Sequence, residues 1–342
     1  VLKGKELMMS EKKLSYELEY VSCPLCDGSK STVFIEDARD LLNGLEGEFN
    51  AVKCDNCGFI YTNPRPTVET IGYFYPDSAG YYQPGSPSKK KLRLKERLFN
   101  SCLSNYFNYS LSRLPKYIDG FYYFMFSHKF HHQHIPAYVE DGKLIDIGCS
   151  YGKWMKKMEG FGWSVYGLEL NEKAVAYANQ ELGLENAKQG IIEDAEYENS
   201  FFDMVHMSMV LEHIHSPLDA LGKVHRILKK NGELILSVPN ITGKDAKMFM
   251  KYWYPLQLPT HLNHFSPETI ALVLEKTGYR VNKIVHYSSE KDFLHSAKNS
   301  GNKRLYKTLK FSPVKNLLLK PYVKLLAARG QTGRMIVYAE KK

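Results

Sequence analysis

The chain has 342 residues, 44% of them hydrophobic and 24% charged, with a formal net charge of +9. That length and apolar fraction allow a sizeable core and more than one domain. No apolar run approaches the ~20 residues that span a bilayer, and the opening residues Val1 to Ser10 lack the apolar heart of a signal peptide. A cytoplasmic protein is expected.

Two C-x-x-C pairs come first, Cys23 with Cys26 and Cys54 with Cys57. Four thiolates at the tips of two hairpins close a tetrahedral zinc site. Gly58 supplies the tight turn after the second pair. In a reducing compartment such pairs favour metal over disulfide. A structural zinc on Cys23, Cys26, Cys54 and Cys57 is therefore expected; the alternative is unmetalled or redox-active cysteines. Cys102 lacks the spacing. The segment between the pairs carries Asp27, Glu36, Asp37, Asp40, Glu46 and Glu48 and no basic stripe. That argues against a nucleic-acid partner.

Next come Tyr61-Thr-Asn63-Pro64-Arg65-Pro66 and the tyrosines Tyr73, Tyr75, Tyr81 and Tyr82. Gln83 to Ser88 reads as a turn or linker. Lys89 to Phe99 has the pattern of a basic amphipathic helix. His128, His131, His132 and His134 follow. They have no carboxylate or cysteine at ligand spacing, so they read as exposed histidines beside a buried aromatic face.

The densest signal is Leu144-Ile-Asp146-Ile-Gly148-Cys149-Ser150-Tyr-Gly152. It predicts a buried strand, a glycine-punctuated loop and a helix, with a second strand ending at Gly167-Leu-Glu169-Leu170. Glycines let a ligand approach the backbone, and a strand-end carboxylate accepts from ribose hydroxyls. The spacing departs from the dinucleotide G-x-G-x-x-G, with Lys153 where its last glycine would fall. Asp146 would repel a pyrophosphate and suits an amino-bearing ligand. This segment resembles the first motif of class I S-adenosylmethionine-dependent methyltransferases, usually D-x-G-x-G-x-G, with Ser150 replacing the middle glycine. Cys149 fills a loop position that wants a small residue.

The resemblance extends over about residues 140 to 242. It takes in Glu193-Asp194-Ala195, Phe202-Asp203, and Leu211-Glu212-His213. A helix opened by Ser216-Pro217 follows, with Leu218, Leu221, Val224 and Leu228 on one face, ending at Lys229 to Gly232. Glu233 to Pro239 is then a buried strand. The resemblance implies a cofactor set of Asp146, Gly148, Cys149, Gly152, Glu169, Leu170, Glu193, Asp194, Ala195 and Leu211. In it, Glu169 holds the ribose, and Glu193 or Asp194 faces the adenine. The cysteine module ending in Tyr-x-Asn-Pro-Arg-Pro is similar to the N-terminal part of bacterial methyltransferases of surface-polysaccharide and deoxysugar biosynthesis.

Pro259-Thr-His261-Leu-Asn-His264-Phe-Ser266 falls between a strand and a helix started by Ser266-Pro267-Glu268. His261, His264 and His213 are the candidate bases, each with a hydrogen-bonded spacer as its alternative. Residues 298–329 form a second basic-apolar stretch. It reads as a lid helix, with peripheral contact to anionic lipid at the inner membrane face as the other reading. Gly333 to Glu340 alternates like a closing antiparallel strand, paired near Tyr279 to Ser288.

The expected fold class is α/β: a doubly wound, Rossmann-like methyltransferase sheet, mostly parallel with an antiparallel last strand, preceded by a zinc ribbon. The expected domains are a ribbon at 1–62, a helical linker or cap at 63–140, a core at 141–288, and lid helices with the last core strand at 289–342. The expected function is methyl transfer from S-adenosylmethionine to a sugar, nucleotide-sugar or glycan intermediate. Competing readings are a quinone or polyketide acceptor, an RNA-binding methyltransferase, and a non-catalytic scaffold.

Overall fold

The structure is a computed structural model and describes residues 16–76, 94–111, 113–287 and 289–342. The linker expected at 83–88 and the start of the basic helix at 89–93 lie outside them.

The cysteine module opens with β1 (Leu18–Glu19), β2 (Ser31–Ala38), β3 (Phe49–Cys54), β4 (Ile60–Thr62) and β5 (Arg65–Pro66). β2, β3 and β4 pair antiparallel. A 3-10 turn at Ile71–Phe74 and helices α1 (Leu94–Tyr106) and α2 (Lys116–His132) lead into the core.

The core alternates strands and helices: β6 (Lys143–Ile147), α3 (Lys153–Glu159), β7 (Ser164–Glu169), α4 (Glu172–Gln180), β8 (Ala187–Gln189), β9 (Phe202–Ser208), α5 (Pro217–Ile227) and β10 (Leu228–Pro239). Then come α6 (Lys244–Phe249), β11 (Asn263–His264), α7 (Pro267–Lys276) and β12 (Tyr279–His286). The chain finishes with α8 (Glu290–Asn299), α9 (Lys303–Lys310), α10 (Ser312–Val314), a π turn at Lys315–Leu319, α11 (Lys320–Ala328) and β13 (Arg334–Lys341). Seven strands form one sheet in the order β12-β13-β10-β9-β6-β7-β8. β6 to β10 run parallel, and β13 runs antiparallel to both β10 and β12. The expected doubly wound sheet with an antiparallel closing strand is what forms.

Strand side chains alternate between two faces. Ile145, Ile147, Val205 and Met207 share one apolar cluster with Leu221 and Val224 of α5, Ile270 of α7, and Cys54 and Phe59 of the cysteine module. Leu144 and Met204 join the cluster of Met155, Ala178, Leu103 and Phe130 on the other face. The core-facing stripe of α5 is Ala220, Leu221, Val224 and Ile227. Each larger aliphatic side chain there contributes roughly 1.5–3 kcal/mol by burial.

Three local expectations shift. α5 stops at Ile227, not at Lys229–Gly232, because Leu228 already pairs with Phe202 as the first residue of β10. Ser216 precedes Pro217 at the helix start, but its hydroxyl makes no capping bond. The loop after β10 contains a strand: β11 pairs with β4, so the cysteine module and core segment 263–264 build a single four-stranded sheet, β11-β4-β3-β2.

Candidate functional site

In an open parallel sheet, ligands bind beyond the carboxyl ends of the strands where the winding direction reverses. Here that point lies between β6 and β9: from β6 the chain winds out to β7 and β8, then returns to β9 on the other side. A cleft of about 490 Å³ opens there. Asp146, Gly148, Cys149, Ser150 and Tyr151 enter it from the end of β6 and its loop, His206 and Ser208 from β9, and Trp154 and Lys157 from α3. His132, Gln133 and His134 close it from the end of α2.

The loop needs its glycines for conformation and for space. Gly148 and Gly152 have φ near +75° and +70°. A Cβ on Gly148 would sit 2.4 Å from Val210 Cγ2, and one on Gly152 would sit 2.6 Å from Leu184 Cδ1. Ser150 also takes a left-handed φ of 48°. The loop thus keeps at serine the conformation that glycine adopts freely. Glu169, buried at the end of β7, fixes the loop from beneath. Its Oε2 accepts from the Ser150 amide at 2.9 Å and its Oε1 from the Asn171 amide at 3.0 Å.

Behind the loop runs a buried polar chain. His206 Nδ1 lies 2.7 Å from Asp146 Oδ1, and His134 Nδ1 lies 2.8 Å from His206 Nε2. The carboxylate accepts, so the proton sits on His206 Nδ1, and His206 Nε2 shares the second hydrogen bond with His134 Nδ1. Burial keeps His134 neutral, its pKa pushed down to about 2. The Trp154 ring stacks on His206 at 4.0 Å, and its Nε1 donates to the Gln133 carbonyl at 3.1 Å. Burial also lowers the Lys157 ammonium to about 8. The histidine-rich segment was expected to be exposed. His134 is instead buried, because it turns inward at a left-handed φ of 50° just after α2. His131 is half-buried, with Nδ1 3.0 Å from the Tyr338 hydroxyl.

The other expected cofactor residues do not line this cleft. Leu170 is exposed just past β7, and Glu193, Asp194 and Ala195 form a turn after β8. Burial raises the Glu193 carboxyl above its ordinary value. Leu211 is fully buried and packs as core.

The three candidate bases gather around the turn after β9. His213 Nδ1 lies 3.0 Å from the Thr260 carbonyl and 2.8 Å from the Tyr75 hydroxyl. A carbonyl only accepts, so Nδ1 carries the proton and Nε2 the lone pair. Burial lowers the His213 pKa to about 4. The His261 ring packs edge-on against His213 at 4.5 Å, and its Nδ1 has no partner among the described residues. His264 is buried in β11, with Nε2 3.2 Å from Thr62 Oγ1. Glu212 is fully buried, and both of its carboxylate oxygens lack a partner among the described residues. Glu212, His213 and His261 each offer one ligand atom within 4.8 Å of the others, an arrangement able to hold a cation. The turn after β9 and the 260–264 loop thus meet, with Tyr75 of the segment after the cysteine module among them.

The four cysteines of the N-terminal pairs form one cluster, all four sulfurs within 4.8 Å. Cys23 Sγ and Cys57 Sγ are 3.5 Å apart, Cys26 Sγ and Cys54 Sγ 3.6 Å. These separations are far too long for a disulfide. They approach the ~3.8 Å edge of a tetrahedron built on Zn–S bonds of ~2.3 Å.

Residues 124–284 match the family model described as a methyltransferase domain. The core carries a class I methyltransferase fold. A ubiquinone biosynthesis O-methyltransferase of Pseudomonas aeruginosa (strain LESB58) is 31% identical over 111 residues, covering 30% of this chain and 46% of that protein. A malonyl-[acyl-carrier protein] O-methyltransferase of Pectobacterium atrosepticum is 22% identical over 128 residues, covering 37% and 50%. The chain thus spans about half the length of these curated relatives. Among solved structures, a putative S-adenosylmethionine-dependent methyltransferase from Listeria monocytogenes aligns with a TM-score of 0.45 at 18% identity, over 63% of this chain and 99% of that one.

Sequence reading missed part of the methyltransferase domain's cleft. His206, Trp154 and Lys157 belong to it, yet none stands in a recognisable motif. A signal was present for His206: it sits two residues after Met204 on β9, on the face that Asp146 shares with Leu144 on β6, and β6 and β9 pair with Asp146 opposite His206.

Proposed function

We propose that this protein transfers a methyl group from S-adenosylmethionine to a hydroxyl of a small acceptor. The observation that carries this reading is the glycine loop at the reversal point of the sheet, with an amide-anchored carboxylate one strand away. The cofactor supplies an electrophilic sulfonium methyl. Glu169 accepts from ribose hydroxyls, and Glu193 or Asp194 faces the adenine. The Asp146 side of the cleft takes the ammonium group, with Lys157 as the cation for a carboxylate. His213, oriented by Thr260 and adjoining Tyr75, removes the acceptor proton through Nε2. Zinc on Cys23, Cys26, Cys54 and Cys57 is structural and ties the two hairpin tips together.

For the acceptor we favour a sugar-type molecule, supported by the likeness of the cysteine module to that of surface-polysaccharide methyltransferases. A quinol is the second reading, favoured by the ubiquinone biosynthesis enzymes among the relatives. Those relatives align over about a third of this chain, so they bear on reaction class more than on acceptor. Calorimetric titration with S-adenosylmethionine and with NAD tests the cofactor. Binding of the first alone is expected, and Glu169→Ala weakens it by about 1–3 kcal/mol. Binding of NAD with none of the sulfonium ligand overturns the reading. Product analysis with sugar nucleotides and with catechols then separates the two acceptors.

A further inference from the structure

Between Asp292 and Glu340 the sequence has no acidic residue. The same interval holds Arg334, which pairs with Asp292, and before it a set on residues 298–329: Lys298, Lys303, Arg304, Lys307, Lys310, Lys315, Lys320, Lys324 and Arg329. The whole chain's net charge is +9, so its positive excess is concentrated here rather than spread over the surface. Among the described residues, Lys320 alone of this set has a carboxylate partner, Glu290 at 3.8 Å.

The segment is helical, through α9, α10, the π turn and α11. One apolar stripe, Leu319, Val323 and Leu326, is buried against Phe293 and Trp253. A second stripe recurs every three or four residues at Phe311, Val314, Leu318, Tyr322 and Leu325, on a different side of the same helical run. It faces outward: Phe311 is 61% exposed, Leu318 64% and Leu325 46%. Leu317 beside it is 73% exposed. A helix that merely covers a site needs only the first stripe.

We propose that Lys303–Ala328 docks this protein onto an anionic membrane surface. The exposed stripe enters the headgroup boundary and the lysines pair with lipid phosphates. The charge pattern selects this occupant. A second copy of the chain would bring an equally basic face against this one and be repelled. An RNA strand would satisfy the lysines but gain little from a row of aliphatic side chains that bare phosphates cannot cover. Among the described residues no helix is long and apolar enough to cross a membrane, so the contact is peripheral. The proposal does not depend on the methyl-transfer reading, because its readout is binding.

The test is flotation of the full chain with vesicles of phosphatidylglycerol and phosphatidylcholine, and with vesicles of phosphatidylcholine alone. The expected result is flotation with the anionic vesicles only, falling ~10-fold as salt rises from ~0.1 M to ~0.5 M. Lys307→Glu with Lys310→Glu reduces partitioning by at least ~10-fold. Leu318→Asp with Leu325→Asp does the same through the apolar contribution. Both pairs are exposed, so the melting temperature stays at the parent value; the charge-reversal pair stands alone if the aspartates disturb folding. The proposal is overturned by absence of flotation at low salt, or by flotation that survives the charge reversal. Single-stranded RNA retained without vesicle binding, or a dimer lost in the aspartate variant without vesicle binding, also overturns it.

Discussion

Glu212 is fully buried, and neither carboxylate oxygen meets a hydrogen-bond donor among the described residues. Burial raises its pKa from the ordinary 4.5 to about 8, opposed only in part by its own backbone amide and the charge of Arg334. Below pH 4.5 the carboxyl is neutral in both folded and unfolded chains, and no penalty arises. Between 4.5 and 8 the unfolded chain releases the proton while the folded chain retains it. The folded state then binds more protons, so stability falls as pH rises, and above 8 the loss is complete. The interval corresponds to a loss on the order of 5 kcal/mol. Glu212→Gln keeps the shape and removes the titration. The variant should be no more stable than the parent at pH 5. It should gain on the parent by ~1.4 kcal/mol per pH unit up to pH 8. Urea unfolding followed by tryptophan fluorescence at pH 5, 6.5 and 8 measures the gap. A gap that does not change with pH refutes the reasoning. It would mean that Glu212 is ionised in the folded chain, compensated by a cation between it, His213 and His261.

Cys54→Ser should release the metal that elemental analysis finds on the parent chain, and should lower the melting temperature of the core as well. Cys23, Cys54 and Phe59 share one apolar cluster with Leu236 and Phe265, so the module cannot loosen alone. A parent chain with four free thiols and no zinc would refute the first claim, and an unchanged core melting temperature the second. His213→Ala should reduce turnover by ~10²–10⁴-fold and leave cofactor affinity intact, as for an interaction made in the transition state. Its pKa is pushed down to about 4, so the imidazole is neutral above that value and parent turnover should not decline until pH approaches 4. Steady-state kinetics of the variant at parent rates would remove His213 from the reaction.

The sheet was legible because its signals are local. Buried strands read as continuous apolar runs, and Gly148 and Gly152 mark a turn that a Cβ would block. Ser266-Pro267 announced a helix that the structure caps fully, with Ser266 Oγ accepting from the Thr269 amide and Thr269 Oγ1 from the Ser266 amide. What stayed hidden depends on distance along the chain. His134 and His206 are far apart in sequence, and only the inward turn after α2 brings them together, while the register of β6 against β9 sets Asp146 on the other nitrogen of His206. The basic-apolar character of the C-terminal stretch was visible, yet which of its apolar residues are buried is settled by Phe293 and Trp253, outside the segment.

The strand β11 changes how the cysteine module relates to the site. A module joined to a domain by side-chain packing alone can tilt without moving the domain's loops. Here Asn263 and His264 pair with Tyr61 and Ile60 across a backbone ladder. The Thr62 amide donates to the Leu262 carbonyl, and the Leu262 amide to the Glu212 carbonyl. One hydrogen-bonded path therefore runs from β4, six residues past Cys54, through the 261–264 loop, to the turn that carries His213. Arg65 adds a second tie, donating to the His215 carbonyl at 2.8 Å. Any displacement of β4 must move His264 and the backbone of Glu212 together. The hairpin tips hold the register of β3 and β4, and the histidines of the 261–264 loop and of the turn after β9 inherit that register. The cysteine module thus acts on the histidines through backbone geometry, even though none of its cysteines lines the cleft.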